Sequence, residues 1–264
     1  YDFIRIFAID MNLYKIYPWN NLNEFLYRDL DKKHDKRMKN ILYSPVDGLL
    51  KIIKKNNFYI KGNKFNFESL IEDKINFNHA ILFRMIPSDY HKIHSPYKLK
   101  FINYKLIEGD FFSIRKDTII KNNSLIKNQR CILTLSDEHD YKVYIVLIGS
   151  IFIGSIFLHK KKLNTWLNPG DELGYFKFGG SSVVLLLEKE IDYNIKLYDE
   201  YETKIMMGNN IGLLKQTKNF IYKYKSESSI NNNYLYYNKL FIEFIIYLIL
   251  IYIYKKCIYN NNDK

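Results

Sequence analysis

Cysteine is nearly absent: Cys131 and Cys257 are the only two among 264 residues. That excludes a disulfide framework and a cysteine-built metal site. Cys131 lies in the apolar run Cys131-Ile132-Leu133-Thr134-Leu135 and is expected to be an ordinary buried core residue. A long hydrophobic run is missing too. Leu240 to Tyr254 is a 15-residue apolar stretch broken by Glu243. It falls short of the ~20 residues that span a bilayer, and a carboxylate in lipid is costly. Residues 216–264 are rich in Asn, Tyr, Lys and Ile and read as a low-complexity tail, either a disordered extension or a weak membrane anchor. Acidic residues are also scarce, 28 against 40 Lys and Arg, for a net charge of +12. The tail holds seven lysines and three acids, so most of the surplus belongs to the body. Such a balance favours anionic partners, nucleic acid or an acidic membrane surface. AT-rich codon usage accounts for part of the Asn, Lys, Ile, Tyr and Phe bias.

What the chain does have is apolar and aromatic mass, 47% and 17%. That supports one good-sized core with appendages. Residues 1–40 read as a helical N-terminal segment. Leu22, Phe25, Leu26 and Leu30 recur at helical spacing, with Asn21 or Asn23 as cap and a basic run from Asp31 to Lys39 behind them. Two readings stay open, a helix packed on the core and an amphipathic helix lying on a membrane. Residues 41–215 read as short apolar runs between tight turns, a β-rich domain. Strands are expected at 49–53, 58–66, 80–86 and 173–178, and a short helix at 67–72. From 101 to 158 the pattern is strand and turn throughout. The fold class is α+β, a predominantly antiparallel β core, sandwich- or barrel-like, with amphipathic helices at the N-terminus.

Three places in this frame could carry chemistry. Ser44-Pro45-Val46-Asp47-Gly48 is a turn that offers one carboxylate. Pro87 to Pro96 is expected to be a loop with His91 and His94 three apart. No third ligand follows at useful spacing, so no metal is expected. A loop histidine suits proton transfer near neutral pH. His34, His79, His139 and His159 lack that setting and read as surface or structural. Gly179-Gly180-Ser181-Ser182 stands before the apolar run Val183 to Leu187, a turn feeding a buried strand. Gly149-Ser150 and Gly154-Ser155 repeat the dipeptide, so Gly-Ser alone has little specificity.

Taken together and in order, these motifs resemble the phosphatidylserine decarboxylase family. The matching stretches are Phe25 to Leu30, Ser44-Pro45-Val46-Asp47-Gly48, Asp89 to Pro96, Gly109-Asp110 before Phe111-Phe112-Ser113, and Gly174 to Val184. The sequence departs from the family at Gly179, where Leu or Val is usual, at Ser182, where many members have Thr, and in the tail. The resemblance implies a proenzyme that cuts itself between Gly180 and Ser181 into β and α chains, which stay together as a heterodimer. Ser181 would attack the Gly180 carbonyl with His94 as base and Asp47 as its orienting carboxylate. Ser181 would then become a covalent pyruvoyl group, the cofactor. Phosphatidylserine would form a Schiff base with it, lose carbon dioxide, take a proton from His91 and leave as phosphatidylethanolamine. The resemblance also implies peripheral membrane association, at the mitochondrial inner membrane or endoplasmic reticulum of a eukaryote. The rival readings are a pyruvoyl decarboxylase of a soluble amino acid and an uncleaved relative that only binds anionic lipid. No recognition helix or base-stacking motif supports nucleic acid as a partner.

Overall fold

The computed structural model describes residues 2–16, 18–31, 38–53, 59–60, 63–64, 67–151, 156–159, 163–177, 181–194 and 202–215. His34, Gly179, Gly180, Cys257 and the tail 216–264 lie outside these residues. Residues 11–230 group as one compact unit, and residues 1–10 belong to another. In the latter stands α1 (Asp2–Ile6), where the Phe3 and Phe7 rings lie 4.6 Å apart.

In the main unit a 3₁₀ turn (Met11–Leu13) precedes α2 (Leu22–Leu26). β1 (Ile41–Tyr43) and β2 (Gly48–Ile53) flank the Ser44 to Asp47 turn. A hairpin of β3 (Tyr59–Ile60) and β4 (Asn63–Lys64) leads to α3 (Phe67–Ile71). Next come β5 (His79–Arg84), β6 (Lys92–His94) and the long β7 (Leu99–Ile107). The helices α4 (Lys116–Asn122) and α5 (Ser124–Lys127) precede β8 (Arg130–Ser136) and β9 (Lys142–Ile148). β10 (Ile156–Leu158), β11 (Trp166–Leu167), β12 (Glu172–Phe176) and β13 (Ser182–Leu187) follow. The last strands are β14 (Ile191–Tyr193), β15 (Thr203–Ile205) and β16 (Asn210–Leu214).

An eight-stranded antiparallel sheet in the order β11-β7-β8-β9-β13-β5-β2-β15 forms the middle layer. At its centre β13 is buried at every position, and a strand's side chains alternate between faces, so both faces need cover. Val183, Leu185 and Leu187 of β13 enter one core, while Val184 and Leu186 enter the other. The second core is closed by Phe67, Leu70 and Ile71 of α3, Ile119 of α4 and Leu125 of α5. The first is closed by two small sheets, β10-β12-β6 and β1-β16-β14, through Ile93, Leu173, Phe176, Leu42 and Ile211. The expected antiparallel β core is present, as a layered structure. Cys131 is buried in the first core, and burial pushes its thiol up to about 12, which leaves it unreactive.

Four local readings change. The strand expected at 58–66 is the β3–β4 hairpin, with Tyr59 paired to Lys64 and Ile60 to Asn63. Asn21 does cap α2, its side chain accepting from the Glu24 N–H, but the helix stops at Leu26 and Leu30 bridges Tyr14 instead. The cause is Arg28, which turns inward and is 1% exposed. Its guanidinium sits 4.0 Å from the Tyr14 ring centre and 4.7 Å from that of Phe25, and donates to the Phe25 and Ser88 carbonyls. Helices α4 and α5 interrupt the stretch expected to be all strand; Asn123 joins them in the left-handed conformation that asparagine tolerates. Pro87 to Pro96 is no simple loop, since β6 lies within it and pairs with β12.

A buried ion pair ties β5 to the segment before β15. Arg84 donates to both Glu202 carboxylate oxygens, at 3.1 and 2.6 Å, with both side chains 7% exposed. Breaking such a pair strands a charge out of water. Glu202→Gln is therefore expected to cost about 3 kcal/mol of stability, read from the urea midpoint, and a shift under about 1 kcal/mol would contradict this account.

Candidate active site

Asp47 ends a turn whose shape is set by Ser44, which donates from its hydroxyl to the Val46 carbonyl at 2.7 Å. The turn abuts β6, where the His94 N–H donates to the Pro45 carbonyl at 2.9 Å. The Asp47 carboxylate accepts from two backbone N–H groups, Met207 at 2.7 Å and Tyr90 at 3.3 Å. Burial raises this carboxyl above the usual range and nearby Asp89 adds to the effect; Lys204 and the two N–H donors oppose it without prevailing.

Beyond β5 the chain folds into a tight turn in which the Asp89 carboxylate accepts from the Ile86 N–H at 2.9 Å. Lys204, reaching over from β15, pairs with its other oxygen. The turn delivers Tyr90, His91 and β6 in succession. His91 is fully buried, and its Nδ1–H donates to the Asp89 carbonyl at 2.7 Å. A carbonyl can only accept, so the lone pair of His91 lies on Nε2. The same reasoning applies to His94: Nδ1–H donates to the Gly170 carbonyl at 2.8 Å, and Nε2 accepts from the Tyr90 hydroxyl at 2.9 Å. The Tyr90 and His94 rings stack with centres 5.6 Å apart. Burial first, then the charges of Glu172, Asp47 and Asp29, hold the Tyr90 hydroxyl far above its ordinary pKa, so it remains a donor.

Ser181 is wholly buried where the chain enters β13. Its carbonyl accepts from the Met85 N–H at 2.8 Å, and its hydroxyl donates to the Met85 sulfur at 3.2 Å. A thioether is a weak acceptor, so this contact holds the hydroxyl without activating it. Next to it, the Ser182 hydroxyl is buried with no hydrogen-bond partner. Gly180 lies outside the described residues.

The structure thus gathers Asp47, His91 and His94 around Tyr90 and Asp89, and sets Ser181 beside Met85 at the start of that same turn. It corrects one expectation. Asp47 does not orient His94 directly, because its oxygens are taken up by main-chain N–H groups and the Gly170 carbonyl orients the imidazole. The link between Asp47 and His94 runs through Tyr90, by its backbone on one side and its hydroxyl on the other. Of the histidines set aside, His79 is structural: its ring nitrogens meet Glu190, the Ile191 N–H and the Tyr193 hydroxyl. His139 lies at the surface near Glu138, and His159 pairs with Glu172 at 2.6 Å. No cluster of three or more His, Cys, Asp or Glu able to hold a metal stands among the described residues.

The family model for phosphatidylserine decarboxylase matches residues 22–213, which include every residue of this site. The chain belongs to the phosphatidylserine decarboxylase family. It is 31% identical over 231 residues to the phosphatidylserine decarboxylase proenzyme of Fusobacterium nucleatum, covering 80% of this chain and 76% of that protein. The corresponding protein of Clostridium tetani is 32% identical over 233 residues, covering 80% and 77%. Phosphatidylserine decarboxylase proenzyme 2 of Komagataella phaffii is 30% identical over 249 residues, but this chain spans only 25% of its length.

Within this member of the phosphatidylserine decarboxylase family, sequence reasoning missed Tyr90, Met85, Asp89, Lys204 and Gly170. Tyr90 and Asp89 stood inside a quoted motif and could have been weighed. Lys204 and Gly170 carry no local signal, since they reach the site from 115 and 76 residues away in sequence.

The raised Asp47 carboxyl has a consequence for stability. A group whose folded pKa lies above its unfolded value favours the folded state at low pH, and that contribution is lost as pH rises through the folded value. Asn mimics the protonated acid. In an uncut Ser181→Ala background, Asp47→Asn should therefore gain stability relative to Asp47 as pH rises, seen as diverging urea midpoints. Parallel pH curves would contradict the burial argument.

Proposed function

We propose that this chain is a self-processing decarboxylase that converts phosphatidylserine to phosphatidylethanolamine at a membrane surface. The observation that carries the reading is the buried Ser181 hydroxyl at the head of β13, adjoining the turn that presents His91 and His94. In the first step the Ser181 oxygen bonds to the Gly180 carbonyl carbon as the Gly180–Ser181 amide bond breaks, giving an ester. The His94 Nε2 takes the hydroxyl proton, for which the Tyr90 O–H must first turn away from that nitrogen or pass a proton to it. Removal of the Ser181 α-proton expels the Gly180 carboxylate, and hydrolysis of the resulting enamine releases ammonia. Ser181 is left as a pyruvoyl group at the head of the second chain.

The residues present suit that group: it arises at a buried position, and the unpartnered Ser182 hydroxyl is a donor next to it. Its carbonyl supplies an electron sink for an amine-bearing substrate. The chain's own part is then to exclude water and to place a proton. His91, held by the Asp89 carbonyl, first takes up a proton on Nε2 and then supplies it to the carbon that has lost carbon dioxide. The relatives' names and the body's positive charge support an anionic phospholipid as substrate. We read residues 1–40 as the membrane-associating segment and the enzyme as peripheral. Among the described residues no helix is long and apolar enough to cross a membrane. The test is intact mass together with turnover. Two chains divided after Gly180, the second blocked at its N-terminus, and carbon dioxide release from phosphatidylserine vesicles but not from free serine, are expected. A single uncut chain or equal turnover of free serine would overturn the reading.

A further inference from the structure

An apolar groove of about 550 Å³ opens where β10 overhangs β7 and β8. That volume falls within the roughly 300–1,000 Å³ of small-molecule sites, and the lining is chiefly hydrophobic, as in such sites. Phe101, Tyr104, Leu106, Leu133, Phe157 and Leu158 form its walls. The groove exists because β7 carries a register shift between Phe101 and Asn103. Beyond the shift, Tyr104 pairs with Leu133 and Leu106 with Cys131, so both stay on the face of the first core. There the covering sheet ends. Tyr104, Leu106 and Phe157 are consequently 61%, 51% and 47% exposed, a concentration of apolar surface that soluble domains avoid without a use for it.

We propose that this groove seats an acyl chain of the phospholipid substrate, a proposal that rests on reading the Ser181 site as a phosphatidylserine decarboxylase. Two further observations support it. The first is register. Leu106, Cys131, Leu147 and Val183 form one transverse row across β7, β8, β9 and β13. Val183 is two residues from Ser181, so the groove floor at Cys131 lies two strand spacings, ~10 Å, from the reactive end of β13. That is the scale of the phosphoserine headgroup separating a reacting amine from the glycerol. The second is charge. The Lys177 ammonium sits 5.2 Å from the Phe157 ring centre at the groove wall, four residues before Ser181, and His159 lines the groove as well. A cation at the groove wall, close in sequence to the reacting serine, suits the phosphate that joins tail to headgroup.

The test compares kcat/KM on palmitoyl-oleoyl-phosphatidylserine in phosphatidylcholine vesicles with that on soluble dibutanoyl-phosphatidylserine. Leu106→Glu and Phe157→Glu change half-exposed side chains, and complete self-cleavage reports that each variant folds. Both are expected to lower the long-chain to short-chain ratio by about tenfold or more, with vesicle co-sedimentation unchanged. Turnover with an unchanged ratio overturns the proposal. Loss of vesicle binding in step with loss of rate makes the patch a membrane-seating surface and also overturns it. So does a dimer that Leu106→Glu dissociates, which would assign the face to a second copy of the chain. Absence of cutting and turnover in the unmodified protein overturns the reading of the Ser181 site itself, and the proposal with it.

Discussion

Ser181→Ala is expected to leave one uncut chain with no decarboxylase activity, where the proposed cut would divide the 264 residues of this sequence into 180 and 84. On the proposed mechanism the effect should be complete, because the hydroxyl oxygen is both the nucleophile and, once esterified, the leaving group whose elimination leads to the pyruvoyl group. Loss of a supporting group in catalysis leaves a residual rate, whereas loss of the reacting atoms leaves none. The variant should fold normally. The Ser181 side chain contributes one weak contact to the Met85 sulfur, and alanine fits a position already buried. Cutting at any rate in this variant, or activity without cutting, would overturn the proposed mechanism. Cutting at Gly149-Ser150 instead would show that the dipeptide and not its setting directs the reaction; Gly149 is engaged by Gln129 and Asn128 at the end of β9.

The two histidines should separate when each is replaced by alanine. His94→Ala is expected to slow self-cleavage by at least about 10²-fold, the range of a lost general base, and thereby prevent formation of an active enzyme. His91→Ala is expected to permit cutting but lower kcat for phosphatidylserine by about 10²–10⁴-fold. Time courses of chain cutting by gel, followed by carbon dioxide release from the cut material, distinguish the two. The assignment rests on geometry beyond the motif. His94 has its lone pair on Nε2 under the Tyr90 hydroxyl, and its position is fixed by Gly170. His91 is held from the opposite side by the Asp89 carbonyl, and its own carbonyl accepts from the Phe176 N–H at 3.0 Å. If His91→Ala blocks cutting and His94→Ala does not, the roles are exchanged.

Much of the fold was legible because it rests on periodicity. The apolar runs at Ala80 to Met85 and Val183 to Leu187 are too continuous for a half-exposed strand, and they became neighbours in the middle of the large sheet. Asn21 was legible as a cap for the same local reason. Helices α4 and α5 were not, because Lys116 to Lys127 is largely polar, and Ile119, Leu125 and Ile126 meet a core from it without a clear helical period. The end of α2 was hidden too, since an inward-turned Arg28 looks in sequence like the exposed arginine of a longer helix. Burial of that guanidinium depends on Tyr14 and Ser88, neither of which belongs to the helix.

The site divides in the same way. The antiparallel class was legible in short apolar runs between tight turns, and the candidate residues Asp47, His91, His94 and Ser181 were legible through motifs that resemble the family's. Which atoms those residues meet depends on packing between remote segments. Asp47 is held by the Met207 N–H from 160 residues away, Asp89 by Lys204 and His94 by Gly170. A hydrogen bond has a direction and a partner within about 3 Å, and pairs that remote in sequence leave no period or spacing to read. The resemblance made Asp47 the orienting carboxylate of His94, and in the structure Tyr90 links the two: chain order says which groups are present, and packing settles which of them touch.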